Sequence, residues 1–456
     1  MDYTKKLAEA MANIKYDALP LEVVEKAKLC ILDFFANVYG SQKLDAVKKM
    51  NGYIQSLGGP EKATALCCGF KTGVHHAAFL NGISAEAIEA QDGLRFGGNH
   101  PGTAVIPAAL AIAQDLGASG KQIIAAVVAG YETAGRVASC VHPQHTLSGF
   151  LPTGTCGTFG AAIAASCLMG HNENTMLNAL GNAGYILPIS MAETLMGGFT
   201  SKIVQGGQAA SAGITAAGMA DVGITGAPYI LEGSHLNGGF AKITSGSMDP
   251  NLERIVDGLG DSFSIMDIYF KPYPACRHTH GSAQATLEIL DANRFLIEDI
   301  ASVEVHTYGI AAIAVGKQVD ANSTFVSAQF SIPYVVAACL LDKQMGPGQM
   351  TQKRVTDPAL LALAAKVNIH MDSDINELYP EHTASRVEIR LKNGDVLSKQ
   401  INDPKGDPRV PFNAQDLCAK MKTFALGQVE KTINAVIDSV LNLETIHNIN
   451  NEPFMA

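Results

Sequence analysis

A chain of 456 residues with 47% hydrophobic and 17% charged residues, 44 glycines and no tryptophan is long enough to bury more than one substantial core. It needs neither disulfides nor a structural metal to fold. A formal net charge of −10 argues against general affinity for nucleic acid or anionic membranes, since both require a basic face to displace counterions; a small basic pocket remains compatible with it.

The N-terminal stretch MDYTKKLAEAMANIKYD lacks the apolar core of a secretory signal and reads as a first amphipathic helix. From Tyr3 to about Gly260 the pattern is nearly all helical, with stripes such as Val23, Val24, Ala27, Ile31, Leu32 and Phe35 at three- and four-residue spacing. Gly117 to Gly120 separates an expected helix over 104–116 from one over 122–139, whose small residues let neighbouring helices approach closely. Apolar stretches such as 123–130 are too short and interrupted to cross a bilayer. Cys30, Cys140, Cys156, Cys167, Cys339 and Cys418 lie in apolar segments and read as small core residues of a reducing compartment, so cytoplasmic residence is expected.

After about Ser264 the texture changes. Lys271-Pro-Tyr-Pro-Ala breaks any helix and precedes an expected helix over 280–290. Residues 303–307 alternate as a half-buried strand, and strands over 386–391 and 396–401 flank Asn393-Gly394, a hairpin-turn dipeptide. Pro404 to Pro411 reads as a linker, after which 413–443 returns to helical periodicity. The expected architecture is mainly α with an inserted α+β domain: a helical domain over 1–265 and 405–456, and the smaller domain over 266–404.

Three stretches carry chemistry. In Glu89-Ala-Gln-Asp92-Gly-Leu-Arg-Phe-Gly-Gly-Asn-His100-Pro-Gly, an acid and an imidazole share a glycine-rich loop, and Asp92 beside His100 would fix one tautomer and tune it for proton transfer; the structural alternative is a turn-capping Asp92 and a satisfied loop histidine. In Lys271-Pro-Tyr-Pro-Ala-Cys276-Arg277-His278-Thr-His280, cations, a thiol and imidazoles gather in an acidic protein. Lys271 and Arg277 there suit a carboxylate and a developing enolate, the alternative being a solvated turn. His278 and His280 would share a face only in an extended segment, and no second ligand cluster follows, so no metal is expected. Lys202 in Met196-Gly-Gly-Phe-Thr-Ser-Lys202 could present an ammonium to an anion or be an ordinary surface lysine; the surrounding glycines match no nucleotide loop. His75, His76, His142 and His145 have no evident partner in sequence and read as structural.

Taken in order, Gln91-Asp-Gly with His100-Pro-Gly, Gly154-Thr-Cys-Gly157, Ser201-Lys202, the 271–280 stretch and Pro404-Lys-Gly-Asp-Pro408 resemble the MmgE/PrpD family over nearly the whole chain. That family includes 2-methylcitrate dehydratase, cis-aconitate decarboxylase and iminodisuccinate epimerase. The resemblance implies a helical domain built from both chain ends with an α+β insertion, a homodimer, no cofactor, and proton removal or delivery beside a carboxylate of a small polycarboxylate. It places Asp92, His100, Lys202 and Lys271 at polar site positions, with Tyr308 near a family tyrosine. Leu151 stands where decarboxylase and dehydratase relatives often carry a histidine, and Cys276 where the decarboxylase carries another, which counts against decarboxylation and directs attention to His100 and the Cys276/His278 region for acid–base work. Nearby Lys271 and Arg277 would be needed to make the thiol a useful base. The leading expectation is a hydro-lyase, with epimerisation of a dicarboxylate or a silent polycarboxylate-binding homologue as alternatives.

Overall fold

The computed structural model describes residues 2–236, 238–246, 249–452 and 455. It is mainly α, with one small mixed sheet in its second half. Helices Leu21–Ser41, Val74–Ala87, Gly102–Leu116, Gly120–Val141, Pro152–Leu168 and Gln205–Asp221 pack against one another as the helical body. Small residues set their spacing. A side chain on Gly130 would bring its Cβ within 2.4 Å of Val105, and one on Gly160 would come within 2.5 Å of the Gly130 carbonyl, so helices 120–141 and 152–168 cross backbone against backbone.

The expected break near Gly117 is a real helix end: Gly117 takes the left-handed conformation, and Ser119 with Gln122 forms a capping box for the next helix. The expected helical run over 413–443 is two helices, Ala414–Phe424 and Glu430–Leu441, both packed on Leu21–Ser41. Gly427, with φ at +98°, lies in the turn between them. Among the described residues no helix is long and apolar enough to cross a membrane.

The four-stranded sheet runs Val367–Met371, Ile300–Thr307, Ser385–Leu391, Val396–Ile401; the first pair is parallel and the others antiparallel. Buried Val303, Val305, Val387 and Ile389 alternate with polar neighbours, as a sheet covered on one face requires, and helix His280–Ala292 packs against it. Strand 367–371 has no counterpart among the sequence expectations, because only Val367 in it is fully buried.

Two backbone contacts tie this region to the helical body at the point that matters for chemistry. Gly93–Leu94 pairs antiparallel with Ile268–Tyr269, and the Phe270 amide donates to the Gly406 carbonyl at 3.1 Å. Gly406 has φ at +91°, and a Cβ there would lie 2.1 Å from the Phe270 carbonyl, so only glycine fits.

Candidate active site

A cavity of about 580 Å³ lies where these contacts meet, and Glu89, Arg95, His100, Lys202, Lys271, Cys276, Arg277 and His278 all line it. The loop after helix Val74–Ala87 delivers Glu89 to His100, the 3-10 turn Thr200–Val204 delivers Lys202, and the proline-rich segment before helix His280–Ala292 delivers the rest.

On one wall the charges alternate. Glu86 Oε1 accepts from Lys202 Nζ at 2.7 Å, Lys202 also donates to Glu89, and Glu89 Oε1 accepts from Lys271 Nζ at 2.7 Å. All four side chains are buried. Burial alone would raise the Glu89 pKa, but the Lys202 and Lys271 ammonium groups outweigh it and hold the carboxyl well below its ordinary range. Burial would likewise lower Lys202, and Glu86 and Glu89 override it and raise the ammonium above its usual value. Lys202 and Glu89 are therefore both charged at neutral pH.

Each ammonium has three donors. Lys202 gives one to Glu86 and one to Glu89, while Lys271 gives one to the Glu89 carboxylate and a longer one, 3.3 Å, to the Glu89 carbonyl. One N–H on each lysine is left over. Glu89 itself sits at φ +55°, a left-handed conformation that costs a non-glycine residue on the order of 1 kcal/mol.

His100 Nδ1 lies 2.6 Å from the Asp92 main-chain carbonyl. A carbonyl only accepts, so Nδ1 carries the proton and Nε2 keeps its lone pair. Burial first, and then the Lys271 ammonium, push this ring down to a pKa of about 4. It is a neutral imidazole with a free basic nitrogen in the cavity wall.

His278 is also neutral, its pKa lowered to about 4 by burial and by Lys271 and Arg277. Its Nδ1 lies 2.6 Å from the Tyr308 hydroxyl. Tyr308 is fully buried and burial keeps its hydroxyl protonated; that hydroxyl can donate to Nδ1 or accept from it, so His278 meets the cavity in either tautomer. Tyr308 does not itself line the cavity but stacks on Tyr379, which does, at 4.6 Å between ring centres.

Cys276 differs from its expected role as a base. Burial and the nearby Glu89 charge push its thiol up to about 11 against the effect of Lys271, so it stays protonated and can only donate at neutral pH. Arg277 donates to the Lys405 and Pro404 carbonyls and lies 3.6 Å from buried Asp407, which also pairs with Arg95. The two guanidinium groups are thus held in the wall by one carboxylate. Among the described residues no group of three or more His, Cys, Asp and Glu side chains is placed to hold a metal ion.

Residues 5–253 match the sequence model of the MmgE/PrpD N-terminal domain, and residues 273–443 match that of the MmgE/PrpD C-terminal domain. The chain belongs to the MmgE/PrpD family. It is 26% identical to a cis-aconitate decarboxylase of Aspergillus terreus, over 98% of this chain and 94% of the relative. It is also 26% identical to a cis-aconitate decarboxylase-like protein, oryM, of Aspergillus oryzae, over 97% of this chain and 94% of that one.

Within this MmgE/PrpD chain, two expected site residues lie outside the cavity: Tyr308, which stands behind His278, and Asp92. The Asp92 carboxyl is outside the cavity: it accepts from Tyr131 Oη at 2.5 Å and from the Gly102 amide at 3.2 Å, serving the start of helix Gly102–Leu116. Its contribution to His100 comes through its main chain, so the expected carboxylate–imidazole pair is absent. Glu89, quoted in the same loop without a role, holds the position facing the cavity. Glu86, Arg95 and Asp407 were also unassigned; Asp407 stood in a stretch read as a linker. His142, read as structural, lines the cavity, as does Leu151, whereas His145 is buried against Thr155 at 2.8 Å.

Proposed function

We propose that the protein is a lyase that removes a proton from the carbon next to a carboxylate of a small di- or tricarboxylic acid and expels water from the neighbouring carbon. The observation that carries this reading is the fixed tautomer of His100: a neutral ring whose Nε2 lone pair opens on the same cavity as two buried ammonium groups, each with an uncommitted N–H.

The substrate carboxylate takes the spare donors of Lys202 and Lys271. His100 Nε2 then accepts the α-proton, and the electron pair moves onto that carboxylate as an enediolate, whose added charge the two ammonium groups stabilise. When the pair returns, the C–O bond to the β-hydroxyl breaks. The protonated Cys276 thiol is the donor available to turn the leaving hydroxide into water, with His278 beside it as a second donor in its Nε2–H tautomer. Five cationic side chains, Arg95, Lys202, Lys271, Arg277 and Lys317, line the cavity, against the carboxylates of Glu86, Glu89 and Asp407 bound to them. The excess of positive charge suits a dianion or trianion.

A second reading, epimerisation of a dicarboxylate, is favoured by the two neutral imidazoles, His100 and His278, on the same cavity, which could take a proton from one face and return it to the other. Proton NMR of a di- and tricarboxylate panel in heavy water separates the two. Elimination gives α-proton exchange with a growing vinyl signal; epimerisation gives exchange and inversion without one. A panel showing neither exchange nor product would overturn the proposal. The small size of the substrate, the absence of a cofactor and a homodimeric assembly belong to the same proposal and rest on the family resemblance.

A further inference from the structure

One stretch of the cavity wall carries no charge. Its residues, His142, Thr146, Leu151, Pro152 and Thr153, follow helix Gly120–Val141 in the chain and line the cavity together. This wall adjoins the proposed base, because the His100 amide donates to Thr153 Oγ1 at 3.0 Å.

The half-buried His142 ring rests against Gly98, where a Cβ would lie 2.8 Å from Nδ1 and 2.9 Å from Cε1. With φ at +62°, position 98 needs glycine for its backbone as well as for the room it leaves the ring. His142 Nδ1 is enclosed and has no hydrogen-bond partner among the described residues. A buried N–H without an acceptor is rarer in folded proteins than an unfilled acceptor, so Nδ1 keeps its lone pair and the proton sits on Nε2. A second proton would have to enter at the same enclosed nitrogen, and burial, followed by the Arg254 guanidinium, lowers the pKa of the ring. His142 is therefore a neutral donor through Nε2–H, the complement of His100, which accepts through Nε2.

A neutral donor adds little to carboxylates that lysines and arginines already take, but it suits an uncharged oxygen. Resting on the elimination reading above, we infer that His142 is a specificity residue that recognises the β-hydroxyl of the substrate: its Nε2–H donates to the oxygen that departs, and the site selects hydroxy acids over the same acids without the hydroxyl. The bond strengthens as negative charge grows on that oxygen, so it favours the elimination as well as binding. His142 keeps its proton in that step; the proton that completes the water comes from the Cys276 thiol.

Isothermal titration of the full-length protein with malate against succinate, and with citrate against tricarballylate, tests this. The hydroxylated acid of at least one pair is expected to bind about three- to tenfold more tightly, as one neutral hydrogen bond allows. His142→Phe keeps a ring against Gly98 and removes the donor. With the fold intact by circular dichroism, it is expected to bring that ratio to about one and to leave the Kd of the acid without the hydroxyl within about twofold of wild type. A wild-type ratio near one in both pairs overturns the inference without any variant. So does a His142→Phe protein that keeps the wild-type ratio, or one that weakens both acids of a pair equally, since His142 then holds a carboxylate. Failure of the elimination reading looks different: the acids bind with the expected ratio but lose no α-proton to heavy water. Binding of none of the four acids overturns both.

Discussion

Two buried charge clusters lie within three residues of each other on one loop, and they have opposite characters. Glu89 sits between Lys202 and Lys271 in the cavity wall, held ionised by them. Asp92 points the other way, toward Tyr131 and the 102–116 helix start, near Asp33 and Lys420. Burial, and then repulsion from Asp33, push Asp92 up to about 7, and burial lowers Lys420 although it donates to Asp33 at 2.6 Å. Both clusters combine lysines with acids out of contact with solvent. What separates them is access: one leaves ammonium donors open to a ligand, the other closes on itself and on the Ala90 carbonyl. Charge bonding alone therefore identifies neither as catalytic.

The largest effect should come from the residue that connects the two. His100→Gln is expected to lower kcat by about 10²–10⁴-fold, and because the wild-type ring titrates near pH 4, kcat/KM of the wild type should stay level as pH falls until about that value. An acid limb near pH 6.5, the ordinary histidine range, would break the assignment of a buried neutral base.

Next in size is a matched pair of variants. Glu89→Ala leaves two buried ammonium groups short of a counter-charge, and Lys420→Met leaves Asp33 without its lysine; each is expected to cost roughly 3–5 kcal/mol in denaturant unfolding. Their kinetics should diverge: per folded molecule, Glu89→Ala loses about 100-fold or more in turnover, while Lys420→Met stays within about threefold of wild type, as a core substitution away from the reacting atoms should. Equal losses of turnover would merge the two clusters into one functional unit.

The smallest effect is expected from Asp92→Asn. Its Oδ1 can still accept from the Gly102 amide while its side-chain N–H donates to the Tyr131 hydroxyl, and the carbonyl that holds His100 is retained, so turnover should change by less than about fivefold. The sign of the stability effect follows from a folded pKa raised from 3.8 to about 7: the wild type is favoured by its bound proton at low pH and loses that advantage as pH rises across this window. Thermal melts should therefore show the variant gaining on the wild type between pH 4 and 7, and a difference that is flat with pH would place the Asp92 proton elsewhere.

Local signals in the sequence carried much of the fold. Helical periodicity located the elements of the body, and Asn393-Gly394 located the hairpin whose second strand is Val396–Ile401. The parallel partner Val367–Met371 was not legible, since four of its five residues are partly or fully exposed and its pairing is with a strand some sixty residues away. In the site, His100, Lys202, Lys271, Cys276, Arg277 and His278 all meet at one cavity, because histidines and cations grouped in an acidic chain are visible as composition. Which acid faces that cavity was not. Glu89 and Asp92 differ only in the direction the backbone gives them, and the left-handed turn at Glu89 has no glycine to announce it. Asp407, quoted only within the Pro404–Pro408 stretch, was given no role because its guanidinium partners, Arg95 and Arg277, lie far from it in sequence.

The short ladder between Gly93–Leu94 and Ile268–Tyr269 has a mechanical consequence. It splices the loop ending in His100 to the segment beginning at Lys271, so the nitrogen proposed to take the proton and the ammonium proposed to steady the resulting charge ride on one piece of main chain. If the sheet region swings to admit or release a ligand, their mutual alignment travels with it undisturbed, and only the outer walls of the chamber need to change.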